Sequence, residues 1–435
     1  MIARRTAALW LSIALSSLCT AAAQTPADTV GLTELQRAAR AHDPRLRQLE
    51  LLSAQSRMRL ENIGVDRKPS FLVESQAQYQ SDVAKIPVSV PNVSIPTPPH
   101  DTYDAHLTGN YRIFDATIGP RRVVETAQLA ESRARVNTTL YTLKQSVNDA
   151  FFAVLRADAQ RAELETSITD LQAQIALASA RVREGTALSS EENVLRAELL
   201  KRRQSISELN AQRAGALEML GDLTGKRSLA ADTFVLPDIA IDSARAVELV
   251  ERPRGRPEFE QFARSREVLD RQRDARAAQD KPRVSAYGKA GYGRPGLDPL
   301  SNTFDTYWLA GVQMSWTPWN WGATRREREV LEVQQQIVAA DEQAFMESLR
   351  RATRQDIETI ARLEHDLAND EQIITLRESV AAEARARFTE AVITSSELID
   401  KQTDVLSARL TRSIHRVELA QARARLLTTL GLETR

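Results

Sequence analysis

Residues 180–191 read ARVREGTALSSE, and residues 386–397 read ARFTEAVITSSE. Six of the twelve positions are identical: Ala180, Arg181, Glu184, Ser189, Ser190 and Glu191 return 206 residues later as Ala386, Arg387, Glu390, Ser395, Ser396 and Glu397. Other landmarks recur with them. Asp43-Pro44, Lys68-Pro69 and Tyr79 reappear 213 residues on as Arg256-Pro257, Lys281-Pro282 and Tyr292, and Asp101-Thr102-Tyr103 returns as Asp305-Thr306-Tyr307. A period of about 200 residues is too long for a solenoid unit. It implies a duplicated half of domain size, with residues 24–225 as the first structural repeat and 226–435 as the second, both sharing one fold.

Each half predicts the same order: helix, strand, loop, strand, very long helix, tight turn, helix. The first opens with a helix from Leu32 to about Asp66, ended by Pro69. Phe71, Val73, Ala77 and Tyr79 then alternate with Glu74, Gln76 and Gln78, a period of two with one apolar face. Pro87, Pro91, Pro96, Pro98 and Pro99 exclude helix and central strand, so residues 83–100 read as an exposed loop. A second alternation sets Leu107, Gly109, Tyr111 and Ile113 against Thr108, Asn110 and Arg112. The predicted strands are about 69–80 and 103–114, then 282–293 and 305–318.

Past Gly119 and Pro120 no glycine or proline interrupts the chain up to Arg183. Leu164, Ile168, Leu171, Ile175, Ala178 and Val182 step by fours and threes, and Ile360, Leu363, Leu367, Ile374, Ala381, Ala384 and Phe388 sit on the same heptad grid. Such heptads mean helix packed on helix at a shallow angle. Gly185 and the two serines make a turn, and Ser190 is the expected N-cap of the next helix. About 65 helical residues span ~100 Å, and two half-length helices laid end to end match one long one. The second-half spans are 244–280, 324–388 and 396–430. With only 5% aromatic residues, a thin wall without a thick core is expected.

Residues 1–23 have the pattern of an export signal: Arg4 and Arg5, an apolar stretch from Ala7 to Leu18, and Ala21-Ala22-Ala23 before Gln24. Cys19, the single cysteine, is expected to leave with it, which removes disulfides and cysteine metal sites from the mature chain. Basic and acidic residues balance at 58 each, which gives no footprint for nucleic acid. Beyond the signal no apolar run is long enough for a spanning helix, though barrel strands need none.

Four tryptophans remain: Trp308, Trp316, Trp319 and Trp321, all placed in or at the end of the last strand. Trp308 and Trp316 lie ~26 Å apart along an extended strand. That is close to the ~25 Å apolar band of an outer-membrane barrel, which has aromatic girdles at both rims. Tyr103 and Tyr307 complete the expected girdle. Four strands cannot close, and open edges are not tolerated in lipid, so at least two copies must associate.

On these grounds the mature chain resembles the TolC family of outer-membrane efflux proteins. The resemblance rests on the duplicated strand–loop–strand pairs between long helices, the Pro-started strands at Pro69 and Pro282, Pro318-Trp319-Asn320-Trp321-Gly322 with its weaker partner at Phe114-Asp115 and Gly119, and the two turn segments. It implies a mainly α fold with a membrane β part: a homotrimer forming a 12-strand β-barrel in outer-membrane lipid, continued by a 12-helix α-barrel through the periplasm. It implies partnership with a periplasmic adaptor and an inner-membrane pump, in an efflux or type I secretion system. By matching segments, Glu397, Asp400 and Asp404 are candidates for an anionic periplasmic gate, with Glu191 and Phe388 beside them. Where some members carry a Tyr–Arg lock, this chain has Phe388 and Ile393, so any lock is expected to be apolar or to use other ion pairs. Arg183, Glu184, Gly185 and Thr186, with Glu390, Ala391 and Val392, are the candidate adaptor-docking tips.

His42, His100, His106, His365 and His415 show no metal-ligand spacing, and no phosphate loop or nucleophile is evident. No enzyme, cofactor or metal site is expected. The competing reading is a soluble periplasmic coiled-coil adaptor or scaffold, which leaves the alternating strands and the tryptophans unused.

Overall fold

The structure, a computed structural model, describes residues 29–84, 97–227, 229, 233–239, 244–245, 247–248 and 255–433. The expected signal and most of the proline-rich loop lie outside these residues. In chain order the elements are β1 (Thr29–Val30), α1 (Leu32–His42), α2 (Arg45–Val65), β2 (Ser70–Tyr79), β3 (Asp101–Asp115), α3 (Ile118–Arg183) and α4 (Ser189–Thr224). After them come β4 (Thr233–Phe234), α5 (Pro257–Ala277), a 3₁₀ turn (Ala278–Asp280), β5 (Arg283–Arg294), β6 (Asp305–Ser315), α6 (Ala323–Thr389) and α7 (Ser395–Leu430).

The first helix differs from expectation. It breaks at Asp43-Pro44 because proline removes a helical N–H and disfavours helix in the residue before it. Asp43 adopts extended backbone, and its carboxylate accepts from the Arg45 backbone N–H at 2.8 Å and from the guanidinium. That bond to the Arg45 side chain holds the Asp43 carboxyl below its ordinary range. In the second half residues 244–245 and 247–248 are helical as expected, and α5 opens separately at Pro257, an N1 proline; residues 249–254 lie outside the described set.

Four strands form one antiparallel sheet in the order β2-β3-β5-β6. The central β3–β5 pairing joins the two halves, with Gly109 opposite Gly288. Among the described residues β2 and β6 each have a neighbour on one side only, so the sheet is open at both edges. Beneath it the helices keep the same order: α2 packs on α3, α3 on α5, and α5 on α6. Farther from the sheet α4 takes over beside α3, and α7 lies beside α6 and also meets α3. The half-length helices therefore stack along the long ones, as their lengths require. Leu171 and Ala178 of α3, Leu195 of α4 and Ile399 of α7 form one narrow buried seam.

Mid-height is thicker than the aromatic content suggested. Phe151 and Phe152 meet edge to face at 5.4 Å, Phe234 joins Phe151 at 5.7 Å, and Leu35, Val147, Ile239, Leu426 and Leu427 are buried around them. The parallel pair β1–β4 closes this cluster. Three phenylalanines suffice because they meet one another here. A buried chain of amides runs through it: Gln36 Nε2 donates to Asn148 Oδ1 at 2.6 Å, and Asn148 Nδ2 donates to Thr428 Oγ1 at 3.1 Å.

The repeated turns have one geometry. Thr186 N–H donates to Arg181 O at 2.9 Å and Gly185 N–H to Val182 O at 3.1 Å; Val392 to Arg387 O and Ala391 to Phe388 O repeat this at 2.9 and 3.0 Å. Each pair is a Schellman motif, with a left-handed residue just past the helix. Gly185 (φ 73°) suits that conformation, whereas Ala391 (φ 61°) is strained there. The expected Ser190 cap is not formed: α4 begins one residue earlier, and Leu188 at its N-cap supplies no side-chain bond. In the second half Thr394 caps α7 by accepting from Glu397 N–H at 3.3 Å. We expect Ala391→Gly to stabilise the tip by about 1 kcal/mol and Gly185→Ala, which meets no neighbouring atom, to destabilise it by about as much. Thermal unfolding followed by circular dichroism at the helical band measures both.

Candidate functional site

Strand alternation gives the sheet two unlike faces. On one lie Phe71, Val73 and Tyr79 of β2, Tyr103, Leu107 and Tyr111 of β3, and Trp308, Val312 and Met314 of β6. Trp308 is 76% exposed and Val73 77%, an apolar surface with nothing covering it in the single chain. The other face is polar. His106 sits between Asp104 (2.6 Å) and Glu74 (3.1 Å), and Lys289 approaches Asp104 at 3.4 Å. Gly291 leaves room for the Tyr307 ring, since a Cβ there would come within 2.8 Å of it.

Tyr307 belongs to this polar face, not to the apolar girdle anticipated for it. Neighbouring strand residues point opposite ways, so Tyr307 cannot share the side of Trp308, and its hydroxyl donates to Asp104. β6 also ends at Ser315, because β5 begins only at Arg283, after Pro282. Trp316 therefore follows the strand, with its indole N–H on Asp280 O at 3.0 Å. Trp319 and Trp321 occupy the turn before α6, packed edge to face at 5.9 Å. All three remain exposed at one end of the apolar face, opposite Tyr103 and Trp308.

The helices beneath the open strands carry exposed apolar stripes. α2, under β2, shows Leu51, Met58 and Val65 at heptad spacing. α6, under β6, shows Val330, Val333 and Ile337, then Ile373, Leu376 and Val380. Residues 337 and 373 are ten helical turns apart and share a face. A helix edge with such a stripe is suited to packing against another helix.

At the far end, the turns 183–189 and 389–395 come together. Arg181, half-buried, reaches from the end of α3 to the end of α6. It donates to Phe388 O at 2.9 Å and to Thr389 O, and lies 5.3 Å from the Phe388 ring centre. Those carbonyls lie in the last turn and have no i+4 helical partner, and Phe388 O also accepts from Ala391 N–H in the turn. Phe388 is 2% exposed against Ala384, Leu398 and Ile393. Its counterpart in the first half is Val182, so only the second turn has an aromatic plug. Arg181 was not among the residues picked out from sequence; its recurrence as Arg387 was the available signal. Arg387 pairs instead with Glu383 of its own helix.

Arg183, Glu184, Gly185 and Thr186 are exposed at one tip, and Glu390, Ala391 and Val392 at the other. Leu188 (71% exposed) and Val392 (67%) add an apolar element to the pair. Glu397 and Asp400 are exposed and unpaired among the described residues, one helical turn apart on the face of α7 opposite Leu398. Asp404, expected to extend that face, is neutralised by Arg377 of α6 at 2.6 Å. Glu191 is half-buried in the first turn of α4, a different helix. No cluster of His, Cys, Asp and Glu among the described residues is placed to hold a metal.

Comparison with known proteins agrees with this architecture. Residues 35–226 match the sequence profile of the family described as Outer membrane efflux protein. No curated protein matches by sequence. Among solved structures, CusC superimposes with a TM-score of 0.70 at 16% identity, covering 92% of this chain and 92% of CusC. VceC, an outer membrane protein of Vibrio cholerae, gives 0.64 at 15% identity over 93% and 97%. The MtrE outer membrane channel of Neisseria gonorrhoeae in its open state gives 0.64 at 14% identity over 92% and 89%. The resemblance read from the sequence is borne out, and the chain has the fold of these channels over nearly its whole length. Replacing Arg181 by Gln should cost about 1–3 kcal/mol, from the charge-assisted bonds and the ring contact. Hydrogen exchange should quicken at residues 389–392 and not at 184–187; equal protection in both turns contradicts the bridge.

Proposed function

We propose that this chain is one of three identical protomers of an outer-membrane exit duct in a Gram-negative bacterium. Each protomer gives four strands to a 12-strand barrel in lipid and four helical columns to a 12-helix tunnel in the periplasm. The observation that carries this reading is the coincidence of three features on one molecule. The sheet is open at both edges, one of its faces is apolar, and apolar stripes run down the two helices directly beneath those edges. Joining β6 of one copy to β2 of the next, and α6 to α2 near the sheet and to α4 farther from it, pairs the strand edges and covers the stripes in one movement. Such head-to-tail contacts close into rings.

The duct is passive and not an enzyme. Energy comes from an inner-membrane pump, transmitted through a periplasmic adaptor that docks on the tips at 183–189 and 389–395. Rings of Glu397 and Asp400 at the narrow end favour cations and repel anions. Phe388, sealed by Arg181, serves as the apolar lock in place of a tyrosine–arginine pair. The exported material is that of an efflux or type I secretion pathway. An adaptor or scaffold in water is disfavoured by the face bearing Phe71, Val73, Trp308, Val312 and Met314, which water solvates poorly.

Two measurements test this. In planar bilayers the purified protein should form cation-selective pores, and Glu397→Ala with Asp400→Ala should lower the cation preference severalfold while pores persist. Unchanged selectivity removes the ring assignment; absence of pores removes the duct. In detergent, Val333→Glu should release monomers, because it puts a charge into the α6–α2 contact. An assembly as stable as the parent contradicts that contact.

A further inference from the structure

A cavity of about 480 Å³ opens beside the mid-height core, where α1, α3, the start of α5 and the turn after α7 meet. Its wall carries Arg37, Arg40, Lys144 and Arg256 against Glu260 and Glu433. The charges are not balanced. Arg256 is matched by Glu258, whose carboxylate accepts from its Nε at 2.9 Å, and Glu260 is drawn to Arg264 at 3.5 Å. Among the described residues Lys144 pairs only with Glu433 at 3.7 Å, and that side chain is 81% exposed. Among the described residues Arg37 and Arg40 meet no carboxylate; Arg40 donates to Asn137 Oδ1 at 3.3 Å. The two arginines are one turn apart on the same face of α1. The N-terminus of α5, opened by Pro257, adds its partial positive charge.

The floor is neutral and rigid. Tyr141 lies under Lys144 (5.2 Å) and Arg256 (4.8 Å), and its hydroxyl donates to Thr428 O at 2.6 Å. Burial pushes its pKa up to about 12, so it supplies no negative charge. Burial also holds the Lys144 ammonium below its ordinary range, and the charge of Arg40 adds to this against the pull of Glu433. Cations gathered in a half-enclosed pocket with too little counter-charge repel one another, and an oxyanion relieves that repulsion while accepting paired guanidinium bonds.

We infer that this cavity is a binding site for a small polyanion bearing phosphate or carboxylate groups, held by Arg37, Arg40 and Lys144. Its volume falls in the range of small-molecule sites and exceeds what a single ion requires. The pocket lies away from both the sheet and the tips, so its occupancy is read independently of conduction.

The test is isothermal titration of the full chain in detergent, at constant ionic strength, with pyrophosphate and separately with citrate. We expect at least one to bind saturably, and Arg37→Gln with Arg40→Gln to weaken it at least tenfold. Tighter pyrophosphate marks a phosphate-type ligand, and tighter citrate a carboxylate-type one. Both arginines are exposed, so the variant should keep the parent's circular dichroism and unfolding temperature. Saturable binding of neither anion overturns the site, as does equal binding by parent and variant.

Discussion

The unpaired backbone of β2 and β6 is the constraint on which the rest depends. A peptide N–H or C=O facing hydrocarbon without a partner costs several kcal/mol, and each edge strand presents a row of them. In the proposed duct the apolar face draws the sheet into lipid, and the open edges forbid it to stay there alone. Everything below the sheet conforms to the same closure: the helices follow the strand order, and the stripes on α2 and α6 continue the edges downward. Strands lie about 4.8 Å apart and packed helices about 8–10 Å apart, so the same order needs a wider wall of helix than of sheet. Strand tilt makes up part of the difference. The turns from Asp115 to Thr117 and from Trp316 to Gly322 are where the remainder must be absorbed.

The two halves share one order of elements, but their tips differ. Both keep the Schellman turn, while the residues that stabilise it have changed. The first half keeps its glycine and lacks a side-chain N-cap; the second has an alanine in the left-handed position and a threonine cap. Arg181 breaks the symmetry most clearly. It caps the other repeat's long helix, while Arg387, its counterpart, stays on its own. The end of α6 is thus held by a residue of α3. A change that separates the two hairpins must first break the Arg181 bonds and expose Phe388.

Much of this was legible from sequence because the signals were periodic. Helix α3 ends where Gly185 and the heptads placed its end, and strand alternation gave each face of the sheet. What was missed depends on three-dimensional context. The break at Pro44 was masked by the helix-favouring residues around it. The mid-height core draws Phe151, Phe152 and Phe234 from distant positions, so no local window shows it. Tyr307 was misplaced by grouping aromatics by nearness instead of strand parity. Asp404 was read as free because its partner, Arg377, lies on a different helix, and the same distance hid the role of Arg181.

Closure by identical copies is most directly tested by the mass of the unaltered protein extracted from membranes in mild detergent. Native mass spectrometry should find a single species of three chains that falls to monomers only on heating. A monomer that stays folded in the same detergent, or one that remains dispersed in water without any, would contradict the account.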